Sequence, residues 1–235
     1  MVSARRMVKS AAMSTGAAAT LVGTLSNVRT RASAGTGDAA RKVDALEGGV
    51  LSASAVLFVT VLTALAAQIS VPLPFTPVPF TLQPMIVLLG GAALGARLGA
   101  TSQALYLCLG LIGLPVFAAS PTLPQGAARL IGPTAGFLLS YPIAAFVTGW
   151  LAERRFDRQY LTSLAAMAAG LAVIFGGGLS WLAYGPTGLG LGGAVRTALV
   201  PFIGADLLKL CLASGVLPAV WRLMGRDERV GQDAR

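Results

Sequence analysis

The chain has 235 residues, of which 55% are hydrophobic and 11% charged, with a mean hydropathy of +0.74. Soluble domains carry about 25% charged residues, so this composition excludes an ordinary soluble fold and indicates a polytopic helical membrane protein embedded in a lipid bilayer. The net charge of +9 comes from basic residues clustered between apolar runs, a topology signal and not a nucleic-acid patch, and the absence of any histidine excludes His-ligated metals and Ser-His or Cys-His catalysis.

Residues 1–49 are rich in Ala, Ser, Thr and Gly, show little periodicity, and read as a disordered basic extension. Residues 1–37 hold five basic residues and no acid, as a transit peptide does; a plain basic tail, or a start at Met7 or Met13, fits the same residues. A membrane domain over 50–222 follows, with six spans at roughly 51–69, 81–97, 100–118, 134–152, 161–184 and 197–221. A very short turn around Arg97–Gly99 joins the second and third. Residues 223–235 form a tail. Cys108 and Cys211 both lie in apolar runs, where cysteine acts as a small hydrophobe.

Six spans place both termini on one side. That side carries fifteen of the eighteen Lys and Arg residues, whereas the opposite loops hold Arg129 and Arg196, and Lys209 lies within a span. The positive-inside rule therefore puts both termini in the cytoplasm. Every acid except Asp206 falls on the same side.

The nearly uncharged outer face contains the residues with chemical potential. In the first loop, QISVPLPFTPVPF, prolines 72, 74, 77 and 79 forbid helix and favour an extended, polyproline-like path. Such a stiff apolar segment is either a linker or a lid. In the third loop Arg129 precedes Gly132-Pro133-Thr134, which opens the fourth span. A cation beside a helix N-terminus suits an anion, and equally an interfacial headgroup. Gln83, Gln103 and Tyr106 are polar groups within spans, each requiring a partner from another helix or from a ligand. Gly91, Gly95 and Gly99 recur every fourth residue, a face for close helix packing, within the molecule or against a partner.

Asp206 and Lys209 are the strongest local signal. A charge at a helix centre costs about 2.5–3.5 kcal/mol on insertion scales. At i, i+3 the two share a helix face and can pair, either as a structural lock or as part of a site. With the sixth span entering from outside near Thr197, Asp206 lies roughly 14 Å deep at the helical rise, within reach of the outer loops.

The run AQISVPLPFTPVPFTLQPMIVLLGGAALGARLGA, followed in order by YLCLGLIGLPVF, LIGPTAGFL and PFIGADLLK, resembles the BioY family over roughly residues 50–222. Those proteins are the biotin-binding S-components of energy-coupling-factor vitamin transporters. The resemblance implies a six-helix S-component bundle that captures biotin on the outer side beneath the first loop. It implies as partners a transmembrane scaffold subunit and paired ATPases. The family's binding residues map onto Asp206 and Lys209, with Gln83, Tyr106, Arg129, Gly132 and Thr134 as further candidates. Two departures stand out: Gly204-Ala205 replaces the family's Pro-Gly before the aspartate, and Ala135-Gly136-Phe137 replaces Gly-Gly-Tyr, removing a hydroxyl.

The expected function is biotin uptake across the cell membrane, or an organelle membrane if residues 1–49 are a transit peptide. In that reading Lys209, with or without Arg129, meets the carboxylate of biotin. Asp206 either orients Lys209 or accepts a donor from the ligand. The alternative is a proton-coupled carrier of biotin or another small carboxylate, working without ATPases. An aspartyl protease would need a second membrane carboxylate beside Asp206, so no enzyme is expected. The three lysines (9, 42 and 209) stand outside any P-loop, so energy comes from a partner or a gradient. No metal or other cofactor is expected.

Overall fold

A computed structural model describes residues 20, 23, 38–120 and 123–233. The extension expected over 1–49 lies outside the described residues up to residue 37, apart from Thr20 and Gly23. From Asp38 onward the chain is helical, so the first helix starts well before the expected span.

Helix α1 (Asp38–Gln68) leads into a hairpin of two short antiparallel strands, β1 (Ser70–Val71) and β2 (Phe80–Thr81), in which Ser70 pairs with Thr81 and Val71 with Phe80. The first loop is therefore non-helical, as its prolines require, but it folds back on itself and does not follow the polyproline-like path expected. Helix α2 (Gln83–Leu94) and helix α3 (Ala96–Leu111) come next, then a 3-10 turn at Gly126–Leu130. Helix α4 (Ala135–Ala152) and helix α5 (Tyr160–Tyr184) are separated by a second 3-10 turn, Phe156–Arg158. The last apolar stretch comprises helix α6 (Gly190–Ala194), a π turn (Val195–Leu199), helix α7 (Val200–Ser214) and helix α8 (Val216–Asp233). The π turn lies just before Pro201, which has no N–H to continue the α-helical ladder and so favours a local widening.

Among the described residues, four helical stretches are long and apolar enough to cross a membrane: Leu46–Gln68, Ala135–Ala152, Tyr160–Tyr184 and Gly190–Met224. The second and third expected spans are shorter than the sequence suggests. Helix α2 has 12 residues and α3 has 16, about 18 and 24 Å at the helical rise, against roughly 30 Å of hydrocarbon. Past α3 the apolar run continues into irregular backbone, which hydropathy alone does not distinguish from helix, whereas α2 is cut short by one residue, Gly95, before α3 begins. The break between α2 and α3 falls at Gly95 rather than at Arg97–Gly99. Gly95 has φ +89°, which side-chain-bearing residues rarely adopt. Glu153 then accepts the Ala96 N–H at 2.9 Å and so caps the new helix.

Helix α4 is the hub, packed against α2, α3 and α5. The largest buried cluster includes Val87 and Leu88 of α2, Tyr106 of α3, Tyr141 and Ala144 of α4, Met167 and Ile174 of α5, and Phe202 and Leu210 of α7. The recurring glycines pack inside the molecule. A Cβ on Gly91 would stand 2.5 Å from the Ala145 carbonyl oxygen, and one on Gly149 would stand 2.4 Å from Gly95 backbone. Helix α1 lies against α2 and α3. There the Thr60 hydroxyl donates to the Ser102 carbonyl at 2.9 Å, and the Gln103 amide donates to the Thr63 hydroxyl at 3.2 Å. Gln103 is thus an interhelical tie.

Candidate functional site

The segment from Val78 to Pro84 passes directly over the inner faces of α4, α5 and α7, and a cavity opens beneath it with an empty volume of about 610 Å³. Its walls are mainly apolar: Val78, Pro79 and Phe80 from the flap, Phe137 and Leu138 from α4, Ile174 and Phe175 from α5, and Ala198 and Phe202 from the last stretch. The polar edge consists of Thr81, Gln83, Arg129, Thr134, Tyr141 and Asp206. A mostly apolar pocket with a few convergent polar groups is the usual form of a small-molecule site.

Asp206 is 8% exposed. Its Oδ1 accepts a hydrogen bond from Lys209 Nζ at 2.8 Å, as the i, i+3 spacing allows. The same ammonium donates to the Thr81 carbonyl at 2.7 Å and sits 3.5 Å from the centroid of the Phe80 ring. Lys209 therefore ties the flap to α7 and balances a buried carboxylate. The Phe80 ring also stacks on Phe202, with centroids 6.3 Å apart and planes 10° from parallel. Lys209 does not line the main cavity; with Asp206 it borders a smaller neighbouring one beside Pro84, Met85 and Leu88. The helical stretch begins at Gly190 and not near Thr197, so Asp206 stands further along it than expected. The cavity reaches it because the flap folds inward.

Arg129 is 2% exposed. Its Nη2 donates to the Ala118 carbonyl at 2.9 Å and its Nη1 to the Pro124 carbonyl at 3.4 Å. Burial lowers the affinity of this guanidinium for its proton, but an arginine keeps its charge at any physiological pH. Among the described residues, Arg129 Nε and the Thr134 hydroxyl have no hydrogen-bond partner although both are buried. Unpaired buried polar atoms are costly, and two of them beside one cavity mark a place where a ligand would restore the lost bonds. Thr134 is also the N-cap residue of α4, but its side chain makes no capping bond.

Gln83, the first residue of α2, is 3% exposed and donates from Nε2 to the Tyr106 hydroxyl at 2.6 Å. Tyr106 is fully buried and donates onward to the Val116 carbonyl at 3.2 Å. It stands behind Gln83 and outside the cavity wall. Gly132 is likewise outside the wall, and its carbonyl accepts the Trp181 indole N–H at 3.0 Å. Of the seven candidates from the sequence, Asp206, Arg129, Gln83 and Thr134 thus meet at one cavity. Lys209, Tyr106 and Gly132 form its immediate support.

The sequence did not single out Tyr141 or the aromatic walls. Tyr141 is buried and lines the same cavity as Arg129 and Asp206. A tyrosine in an apolar span was visible, but nothing in the sequence says which helix face meets the cavity. Both departures from the family pattern are now located. Gly204 is exposed, with nothing within 4 Å of a Cβ placed there. Phe137 lines the cavity and meets Phe175 edge-on at 6.4 Å, so its lost hydroxyl leaves an apolar wall.

A model of the BioY family matches residues 39–226. A biotin transporter from Thermotoga maritima is 39% identical over 155 residues, covering 66% of this chain and 86% of that protein. A probable biotin transporter from Pyrococcus horikoshii is 41% identical over 157 residues, covering 67% and 87%. A biotin transporter from Rhizobium etli is 36% identical over 182 residues, covering 74% and 90%. Among solved structures, the S-component for biotin from an ECF-type ABC transporter superposes with a TM-score of 0.67 at 24% identity, covering 75% of this chain and 93% of that one. At that identity the likeness establishes the fold.

Proposed function

The chain belongs to the BioY family, and from that premise we propose that it is the biotin-capturing S-component of an ECF-type ABC transporter in the cell membrane. The observation that carries the reading is the cavity under the proline-rich flap. Its apolar walls suit the fused ring and alkyl chain of biotin, and its polar edge offers both donors and acceptors. The unpaired Arg129 Nε and Thr134 hydroxyl, at the N-terminus of α4, suit the carboxylate. Asp206, with one oxygen held by Lys209, suits a ureido N–H. Lys209 contributes by holding Asp206 and the flap in place.

The same proposal includes six crossings with both termini in the cytoplasm, α2 and α3 crossing with the help of the irregular segments that flank them. The charge asymmetry supports it, since fifteen of eighteen basic residues then face inward. Irregular backbone at membrane depth is tolerated where protein buries it. A transmembrane scaffold subunit and ATPases would supply the energy.

Binding of radiolabelled biotin to the purified protein in nanodiscs tests the reading. Saturable binding that dethiobiotin displaces and riboflavin does not is expected, because dethiobiotin keeps both the urea and the carboxylate. No saturable binding, or equal displacement by riboflavin, overturns it. Uptake that continued without any ATPase subunit and collapsed with a protonophore would instead favour the gradient-driven carrier.

A further inference from the structure

The Gln83–Tyr106–Val116 chain of hydrogen bonds decides which end of an amide the cavity meets. The Val116 carbonyl can only accept, so the Tyr106 hydroxyl must spend its single proton there, at 3.2 Å. Toward Gln83 the hydroxyl is then left as an acceptor, and the 2.6 Å contact must be made by the Gln83 NH₂ group. The other end of the amide, Oε1, is the end not bonded to Tyr106. Gln83 lines the cavity, whereas Tyr106 does not. Gln83 Oε1 is not among the buried atoms that lack a partner, although Gln103 Oε1 is. None of the described residues donates to the Gln83 oxygen either, so it keeps some exposure, on a side chain that lines the cavity.

We propose that Tyr106 is a specificity-determining positioning residue: it locks the Gln83 amide so that a carbonyl oxygen, and not an NH₂ group, faces the bound ligand. The site then selects a ring that presents N–H at this point and disfavours one that presents an oxygen. This rests on the biotin reading above and deepens it, because the urea of biotin carries N–H groups of that kind. Tyr106 needs no contact with the ligand to exert this effect. Its own position is held by burial and by the edge-on Phe117 ring at 5.6 Å.

The test compares biotin with its two cyclic carbamate analogues, each having one ureido N–H replaced by a ring oxygen of similar size. For the wild-type protein, at least one carbamate is expected to bind roughly ten- to a hundredfold more weakly than biotin, the cost of an acceptor facing an acceptor. Tyr106→Phe frees the amide to turn, so the ratio of the two affinities should shrink several-fold. Gln83→Leu should shrink it as well. A merely structural Tyr106 would weaken biotin and carbamate in the same proportion and leave the ratio at its wild-type value, which would overturn the proposal. If Tyr106→Phe does not fold, the ratio in Gln83→Leu decides, and an unchanged ratio there defeats the proposal too. Failure of wild-type protein to bind biotin at all would instead count against the function proposed above.

Discussion

Lys209 is the side chain on which the polar side of the site rests. Removing it leaves Asp206 as an uncompensated buried charge, a loss of about 3–5 kcal/mol for buried pairs, and frees the Thr81 carbonyl and the Phe80 face. Lys209→Ala is therefore expected to lower both thermal stability and biotin affinity. The double change Asp206→Ala with Lys209→Ala should recover much of the stability and none of the binding. Thermal unfolding and radioligand binding on the same samples separate the two effects. Asp157, in the Phe156–Arg158 turn, gives a pH prediction. It is 2% exposed, accepts the Trp221 indole N–H at 2.6 Å, and lies 3.7 Å from Arg158 Nε. Burial raises its pKa above 3.8, against the opposing pull of Trp221 and Arg158. The folded state then holds a proton that the unfolded state has released, so stability falls as pH rises from about 3.8 through the folded value. Asp157→Asn keeps an acceptor for Trp221, and its melting temperature should lose that dependence in a pH series.

Among the elements, α4 constrains its neighbours most tightly. A Cβ at Gly149 would meet Gly95 carbon, Ala96 nitrogen and Gly91 oxygen at 2.4, 2.5 and 2.7 Å, all of them backbone atoms. Even Gly149→Ala cannot be absorbed by a rotamer change and should cost about 1–3 kcal/mol, read as a lower melting temperature. Gly204→Ala should be silent by the same measurement, since nothing lies within 4 Å of a Cβ there. The flap is a second constrained element. The prolines make the absence of helix between α1 and α2 legible in the sequence. Its inward fold depends on contacts with α7, from Lys209 to Thr81 and from Phe202 to Phe80, which no local pattern encodes.

For the whole molecule, the charge pattern and the fold lead to a topology experiment. In a chain whose Cys108 and Cys211 are replaced by alanine, Thr76→Cys in the flap should react with a membrane-impermeant maleimide added to intact cells. Arg155→Cys, in the turn after α4, should react only after permeabilisation. The reverse pattern would invert the orientation, and labelling of both from outside would remove the six-span arrangement.

The sequence by itself determined the membrane class, the clustering of basic residues between apolar runs, and the rarity of Asp206, Lys209 and Arg129. An ionised group in an apolar span is conspicuous wherever the helix turns. It could not determine that Arg129 and Thr134 remain unpaired while Lys209 is already held, nor that α2 and α3 end short of the expected spans. An aromatic residue such as Tyr141 or Phe175 looks the same in sequence whether it faces lipid or ligand. Helix rotation, the Gly95 break and the inward flap decided that, because they depend on backbone approach between α2, α3 and α4 and on contacts across α7.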